Sequence, residues 1–185
     1  MFKCYKIVDN YFVGKCGEYQ INFILLPCKK RTRIIMSTFI GKHEAKADVK
    51  GRIFIPSSYR KLLPEDQKER VVLRKDTEND CFVLYPESIW NEKVVDFKSK
   101  LDEWNPTDQL LLMQFVSDAE WLDIDTQGRV LISKKNLQMI GVENSEVLFV
   151  GMIDRFAIWS KTRYELAKIP AIDFAKLLKE RMMTK

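Results

Sequence analysis

Apolar residues follow two different periods along this chain. From Trp90 they recur at Val94, Phe97, Leu101 and Trp104, the alternating steps of four and three that mark one face of an amphipathic helix. Asn105-Pro106 then resets the chain. Asn caps a helix well, Pro is pre-shaped for the first helical position, and Asp108 suits the positive end of the helix dipole. Leu111, Leu112 and Phe115 supply the inner stripe expected of that second helix, so residues 89–117 read as a helical hairpin. A weaker amphipathic pattern spans Ile172 to Met183, within a helical tail over 164–185 suited to fraying or to contact between subunits. The remaining apolar runs are short. Ile53-Phe54-Ile55, Val71-Val72-Leu73, Phe82-Val83-Leu84-Tyr85, Val147-Leu148-Phe149 and Phe156-Ala157-Ile158-Trp159 have the length and residue types of strands.

Those strands come in two matching sets. Asp48-Val-Lys-Gly51-Arg52-Ile-Phe-Ile-Pro56 recurs as Asp125-Thr-Gln-Gly128-Arg129-Val-Leu-Ile-Ser133 at an offset of 77 residues. Val71-Val72-Leu73 recurs at 147–149 and Phe82 to Pro86 at 156–160, at offsets of 76 and 74. Two copies of one turn motif with aligned strands after each indicate a duplicated unit. In each unit the Asp (Asp48, Asp125) can bond its own backbone, and the Gly three residues on (Gly51, Gly128) supplies a positive φ, which together predict a hairpin turn. A short helix follows each outgoing strand. One runs from Pro56 to Pro64 with a Ser cap and apolar Tyr59, Leu62 and Leu63; the other lies near 134–140 and ends at Gly141. Strands near 70–75 and 81–85 complete the first unit. The reading is an α+β, β-rich fold: tandem β modules over 41–88 and 118–163, with the amphipathic helical hairpin between them. A module of about 45 residues is marginal alone, so each needs its neighbour or another subunit to complete a core.

Composition narrows the class. With 185 residues, 46% of them hydrophobic and 11% aromatic, the chain can bury a core without disulfides. The longest early apolar run, Ile24-Leu25-Leu26, falls far short of the about 20 residues of a membrane span. Lys29-Lys30-Arg31-Thr32-Arg33 follows that run, the wrong flank for a secretory signal, so a cytoplasmic protein with no membrane partner is expected. The net charge of +5 belongs entirely to residues 1–35, where seven Lys/Arg meet two Asp/Glu; the other 150 residues balance 24 against 24. Only a local basic cluster can therefore argue for a nucleic-acid partner. Cys4, Cys16 and Cys28 share that first segment, leaving Cys81 beyond it, and neither C-x-x-C nor a histidine other than His43 is present. Free thiols in a reducing compartment are expected, with no metal and no cofactor.

Catalytic patterns are missing. No serine sits in G-x-S-x-G, and neither H-E-x-x-H nor the phosphate-loop motif occurs. Asp123 and Asp125 have no histidine partner, so no enzyme and no small-molecule substrate are expected. A local charge excess does stand out. Lys42, Lys46, Lys50, Arg52, Arg60 and Lys61 outnumber Glu44 and Asp48 between 42 and 61, and strand parity puts Lys46, Asp48 and Lys50 on one face. Such a rim can sit against phosphates, and a β-ribbon can enter a groove. Equally, these charges can solvate an edge strand, and Arg52 can pair with Asp48 to staple the turn.

The stretch from Met36 to Arg60, with Gly41, Asp48-x-x-Gly51-Arg52 and Pro56, resembles the first motif of the bacterial MraZ family. Cys81-Phe-Val-Leu-Tyr85-Pro86-Glu-Ser-Ile-Trp90 resembles its second landmark, and Gln114 to Glu120 with Asp125-x-x-Gly128-Arg129 the opening of its second repeat. The resemblance covers residues 36–165. It implies two SpoVT/AbrB-type modules per chain, ring-like homo-oligomers, and DNA-binding regulators of transcription at the nucleoid, repressors that bind direct repeats in their own promoter ahead of division and cell-wall genes. Carried over, it implies that Arg52 leads the DNA contact with Lys50 beside it, Lys46 and Lys42 extend the rim, and Arg129 is the counterpart in repeat 2. Two departures bear on this. Ser133 stands where a proline is usual, Asn136-Leu137 where Leu-Arg is common, and the second rim is thinner with Arg129, Lys134 and Lys135, so DNA contact and packing are both open to repeat 2. Residues 1–35 have no family counterpart. Translation is expected to begin at Met36, the alternative being a basic arm that adds non-specific DNA affinity. The alternative function is a protein-interaction module of the same fold, like the antitoxins that hold a toxin.

Overall fold

The computed structural model describes residues 6–8, 11–13, 38–63 and 70–183, in two compact units, Met1–Ile35 and Met36–Lys185. In the first unit β1 (Lys6–Val8) pairs antiparallel with β2 (Tyr11–Val13), Ile7 opposite Phe12. Met36, Cys4, Cys16 and Cys28, on which the expected translation start turns, lie outside the described residues, as does Pro64.

The second unit carries both repeats. Repeat 1 runs β3 (Lys42–Lys46), β4 (Arg52–Phe54), α1 (Ser57–Arg60), β5 (Arg70–Lys75) and β6 (Cys81–Pro86). Helices α2 (Glu87–Ser99) and α3 (Pro106–Ser117) follow. Repeat 2 runs β7 (Ala119–Asp123), β8 (Arg129–Leu131), α4 (Lys134–Met139), β9 (Glu146–Gly151) and β10 (Phe156–Ser160), before α5 (Lys161–Ala167) and α6 (Ala171–Met183).

The expected α+β, β-rich fold of two tandem repeats is present, and the repeats exchange strands. One six-stranded antiparallel sheet has the order β3-β9-β10-β6-β5-β7, so the first strand of each repeat pairs with the third strand of the other. The last strands, β6 and β10, pair at the centre, Leu84 opposite Phe156. The second strands, β4 and β8, pair apart from the sheet, Ile53 opposite Val130. This pattern maps onto itself when the repeats are interchanged, which is a pseudo-two-fold passing between β6 and β10 and between β4 and β8. The exchange answers the shortage of core in a single module: neither repeat can bury its strands without the other.

Both faces of the sheet are covered, so its inner strands are apolar at successive positions rather than alternately. Val71, Leu73, Phe82, Leu84, Phe149, Phe156 and Ile158 face a core closed by Ile53, Val130, Tyr59 and Leu137 from β4, β8, α1 and α4. Val72, Cys81, Val83, Tyr85, Ala157 and Trp159 face the other way, against Trp90 of α2, with Phe115 and Tyr164 packed alongside. Trp90 stacks on Phe115 at 5.4 Å with ring planes 3° apart, and Phe97 meets Phe115 at 4.4 Å.

The helical hairpin departs from the expected stripe at its far end. Helix α2 stops at Ser99, and Trp104 is 90% exposed rather than packed. The cause is local competition for backbone donors: the Asp102 carboxylate accepts from the Trp104 amide, and Asp108 accepts from the Asp102 amide. Asn105 then caps α3 through the Thr107 amide, as its sequence predicts. On α3 only Leu112 and Phe115 turn inward among the expected stripe; Leu111 is exposed.

Candidate functional site

Each repeat builds the same five-residue turn, with Asp, Gly and Arg at its first, fourth and fifth positions. The Asp48 carboxylate accepts from the amides of Lys50 and Arg52 through Oδ1, at 2.8 and 2.9 Å, and from Arg52 Nε through Oδ2 at 2.6 Å. Gly51 donates back to the Asp48 carbonyl at 2.9 Å and takes a φ of +89°, so the loop is a tight turn closed by a residue in the left-handed region. In repeat 2 Asp125 accepts from the Gln127 and Arg129 amides at 3.0 and 2.9 Å and from Arg129 Nε at 2.7 Å, and Gly128 sits at φ +82°. The Arg52 backbone amide, helped by its side chain and by the Lys50 amide, holds the Asp48 carboxyl down to about 2. Asp125 is lowered likewise, first by the Arg129 amide. Both carboxylates are thus ionised at neutral pH and pin their arginines from behind.

Pairing of β4 with β8 brings the two arginines onto one surface. Arg52 lies opposite Leu131 and Arg129 opposite Phe54, while Ile53 and Val130 between them point into the core. The outward face of this ribbon is therefore Arg52, Phe54, Arg129 and Leu131, with Phe54 53% and Leu131 55% exposed. From strand spacings the two arginine Cα atoms lie about 8 Å apart, diagonally across the ribbon. The Arg129 guanidinium lies 5.6 Å from the Phe54 ring centre. The two turns are tied into the ribbon at its opposite ends, since Ile132 donates to the Gly51 carbonyl and Ile55 to the Gly128 carbonyl, both at 3.0 Å.

Strand exchange also places each turn against the other repeat's short helix. Lys134 of α4 lines a groove of about 340 Å³ beside Asp48, Val49 and Gly51, with Glu143 on its far wall. Arg60 and Lys61 line the matching groove beside Asp125, Thr126 and Gly128. The Arg60 side chain lies directly over Gly128, where a Cβ would have to displace it, and its Nε donates to the Ile55 carbonyl at 3.2 Å. The ribbon and its flanks gather Lys50, Arg52, Lys134, Arg60, Lys61 and Arg129, while Asp48 and Asp125 are engaged by their own turns.

The basic residues of β3 are disposed differently. Lys46 pairs with Glu146 across the strands at 3.1 Å, and Lys42 sits at the other end of β3, 5.3 Å from the Tyr164 ring centre. Strand parity sets both opposite to His43 and Ala45, which pack on the ribbon side of the sheet, so the structure does not bring Lys42 and Lys46 onto the ribbon's outward face. His43 bonds Ser58 of α1 at 3.2 Å and packs edge-on against Tyr59. The charge pattern marks Arg60 and Lys134 but not Phe54 and Leu131. Parity along Arg52-Ile53-Phe54 does place Phe54 with Arg52, but nothing local shows that repeat 2 supplies the facing strand. Among the described residues no group of His, Cys, Asp and Glu is arranged to hold a metal ion, and no helix is long and apolar enough to cross a membrane.

Comparison with known proteins agrees with the duplicated architecture. The MraZ protein family, described as antitoxin-like, matches residues 38–112 and 115–182, one match per repeat. The "Transcriptional regulator MraZ" of Bacteroides fragilis is 42% identical over 147 residues, 80% of this chain and 92% of that protein. The protein of the same name from Phocaeicola vulgatus is 44% identical over 146 residues, 79% of this chain and 94% of its own length. In Tolumonas auensis the identity is 32% over 140 residues, covering 72% of this chain and 91% of the relative. With both repeats matched and nearly the whole of these relatives covered, the chain belongs to the MraZ family.

Proposed function

We propose that this chain is a sequence-specific DNA-binding regulator of transcription, a non-enzyme that represses its own division and cell-wall gene cluster from promoter repeats, as a ring-like homo-oligomer in the cytoplasm at the nucleoid. The observation that carries the reading is the outward face of the β4–β8 ribbon, where two arginines are each fixed by a carboxylate behind them. A two-stranded ribbon fits the major groove, and an arginine held through Nε, as Arg52 is, keeps terminal amino groups for base-edge acceptors, above all those of guanine, while Arg129 also gives Nη2 to Asp125. Pre-orientation lowers the entropy lost when such a side chain docks. Lys50 and Lys134 on one side, and Arg60 and Lys61 on the other, suit flanking phosphates. Exposed Phe54 and Leu131 suit thymine methyl groups. The relatives' shared name as transcriptional regulators supports the same reading. A ring would let weak single contacts add, since linked sites gain about 10²–10⁴ in avidity.

A titration of the full chain against the DNA upstream of its own gene tests this, at roughly 150 mM salt where non-specific attraction is weak. Native DNA should be preferred over a scrambled duplex, and Arg52→Ala should weaken binding about 10–100-fold, the cost of one base-reading arginine. No preference, or an indifferent Arg52→Ala, overturns the reading. The protein-interaction function then takes its place, with Phe54 and Leu131 as the apolar contact between two cations.

A further inference from the structure

The face of the sheet turned away from the ribbon carries a cavity that DNA binding does not use. It holds about 520 Å³ between β5, β6 and the helices α2 and α3, within the range of small-molecule sites, about 300–1,000 Å³. Phe97, Leu111 and Phe115 make an apolar wall. Facing it are three cations: Arg74 of β5, Lys93 of α2, and Arg155 just before β10.

These cations are held in place yet short of partners. The Arg74 guanidinium lies 4.3 Å from the Phe115 ring centre and its Nε donates to the Phe115 carbonyl, which leaves its terminal amino groups unbonded. Arg155 and Lys93 lie 5.7 and 5.9 Å from the centre of one ring, Tyr85. Two like charges around one ring repel each other, and Lys93 has no ion pair among the described residues. Asp154 takes only Nη1 of Arg155, and Arg155 Nε is the one buried side-chain polar atom without a hydrogen-bond partner among the described residues. Such a group retains an unmet demand for an acceptor. The other carboxylates of the cavity do not meet it. Asp76 is taken up by the amides of Glu78 and Asn79 and by the Asn79 side chain, and Asp118 is exposed at the end of α3.

The fold does not require this cluster. At the offsets that relate the repeats, Arg74 corresponds to Val150, Arg155 to Cys81 and Lys93 to Ala167, so the other half carries no cation at any of the three positions. We infer that the cavity binds a phosphorylated small molecule with a flat ring, of the nucleoside diphosphate class. Guanidinium and ammonium groups form charge-assisted hydrogen bonds to phosphate oxygens, and a diphosphate carries charge enough to meet all three cations. The guanidinium face of Arg74 turned away from Phe115 offers a stacking surface for the ring, beside Phe97 and Leu111.

Calorimetric titration of the full chain without DNA tests this, with ADP, pyrophosphate and adenosine as probes and thermal melts alongside. ADP should bind more tightly than either fragment, and at 100 times its Kd it should raise Tm by about 5–11 °C. Lys93→Gln and Arg155→Gln should each weaken ADP about 10–100-fold, the loss of one charged hydrogen bond. Lys98→Gln, on the same helix but outside the cavity, should bind ADP as the wild type does. Circular dichroism checks folding; Lys93 has no ion pair to lose, so Lys93→Gln carries the test if Arg155→Gln misfolds. Pyrophosphate matching ADP assigns the cavity to the free anion and overturns the ring-bearing ligand. Adenosine matching ADP overturns the role of the cations. No ADP binding at millimolar concentration, or an equal loss in Lys98→Gln, overturns the site. None of these outcomes bears on DNA binding, which uses the opposite face of the sheet.

Discussion

Gly41 and Gly51 share a backbone conformation but not a surrounding, which makes them a controlled pair. Both have a φ of +89°. A Cβ at Gly41 meets nothing within 4 Å, whereas one at Gly51 would be driven into the carbonyl oxygen of Ile132. That oxygen is backbone, and it cannot swing aside: Ile132 donates its own amide to Gly51 and its side chain is buried in the core. Gly41→Ala should therefore cost only the left-handed conformation, about 1–2 kcal/mol. Gly51→Ala should cost the same and in addition the strain of an overpacked contact, about 1–3 kcal/mol. In a protein of this size each kcal/mol lowers Tm by about 2–4 °C, so the expected losses are about 2–8 °C for Gly41→Ala and about 4–20 °C for Gly51→Ala. Both should still fold, given typical stabilities of about 5–15 kcal/mol. Thermal and urea melts of the two variants side by side measure the difference. Equal losses, or a larger loss at Gly41, would refute the close approach of the first turn to β8, and with it the reason the two arginines share one ribbon.

Two further outcomes follow from the ionisable groups. Because the Asp48 carboxyl is held at about 2, below the about 3.9 of an unfolded Asp, its bonds to Arg52 stabilise fully above pH 4 and are lost as pH falls toward 2. Acid titration should thus show Asp48→Ala destabilised relative to wild type at neutral pH and the gap closing near pH 2; a gap unchanged at pH 2 would argue against the ionised pin. Cys81 is buried on the α2 side of the sheet, and burial pushes its thiol up to about 12. Cys81 should resist a maleimide in the folded protein and label readily in denaturant, as read by peptide mapping; fast native labelling would contradict that packing.

What was legible in the sequence is what local chemistry decides. Asp-x-x-Gly-Arg dictates its own turn, because the carboxylate, the two amides and the positive φ all lie within five residues. The runs at Val71 and Phe82 sit in β5 and β6 for the same reason, since β-branched and aromatic residues suit a strand wherever it pairs. Strand partners were not legible. Lys42 lies opposite Val150, more than a hundred residues away, and no local signal distinguishes that pairing from one within a repeat. A hint did exist: Phe82 to Tyr85 is apolar at every position, which fits a central strand covered on both faces better than the one-sided edge of a small module. The stripe from Trp90 to Trp104 overran for a related reason. Periodicity reports apolar spacing, while the end of α2 is set by Asp102 and Asn105 taking the backbone donors beyond it.

On the DNA-binding reading, the divergence of the repeats constrains the operator. A ribbon with an exact two-fold would read a palindrome, because each half would meet the same bases on opposite strands. Here the halves differ where they face outward: Lys50 is matched by Gln127, Phe54 by Leu131, and Ser57 and Ser58 by Lys134 and Lys135. The arginines differ in availability too. Asp125 engages both Nε and Nη2 of Arg129, whose side chain is 19% exposed, whereas Asp48 engages Nε of Arg52, which is 37% exposed. One ribbon therefore offers a strong head and a weak one, and so has a direction along the duplex. In the proposed ring, copies related by its rotation axis all point the same way, which sets their strong heads in one polarity. Such an array suits the direct repeats that the family resemblance implies, with centres about one helical turn of 10–10.5 bp apart or a multiple of it. Inverting a single repeat within the native operator should lower affinity as much as scrambling that repeat, and adding about half a turn between two repeats should do so by rotating one out of reach. Equal binding to the inverted site would mean that the two heads read alike, and the asymmetry between Arg52 and Arg129 would have no consequence for recognition.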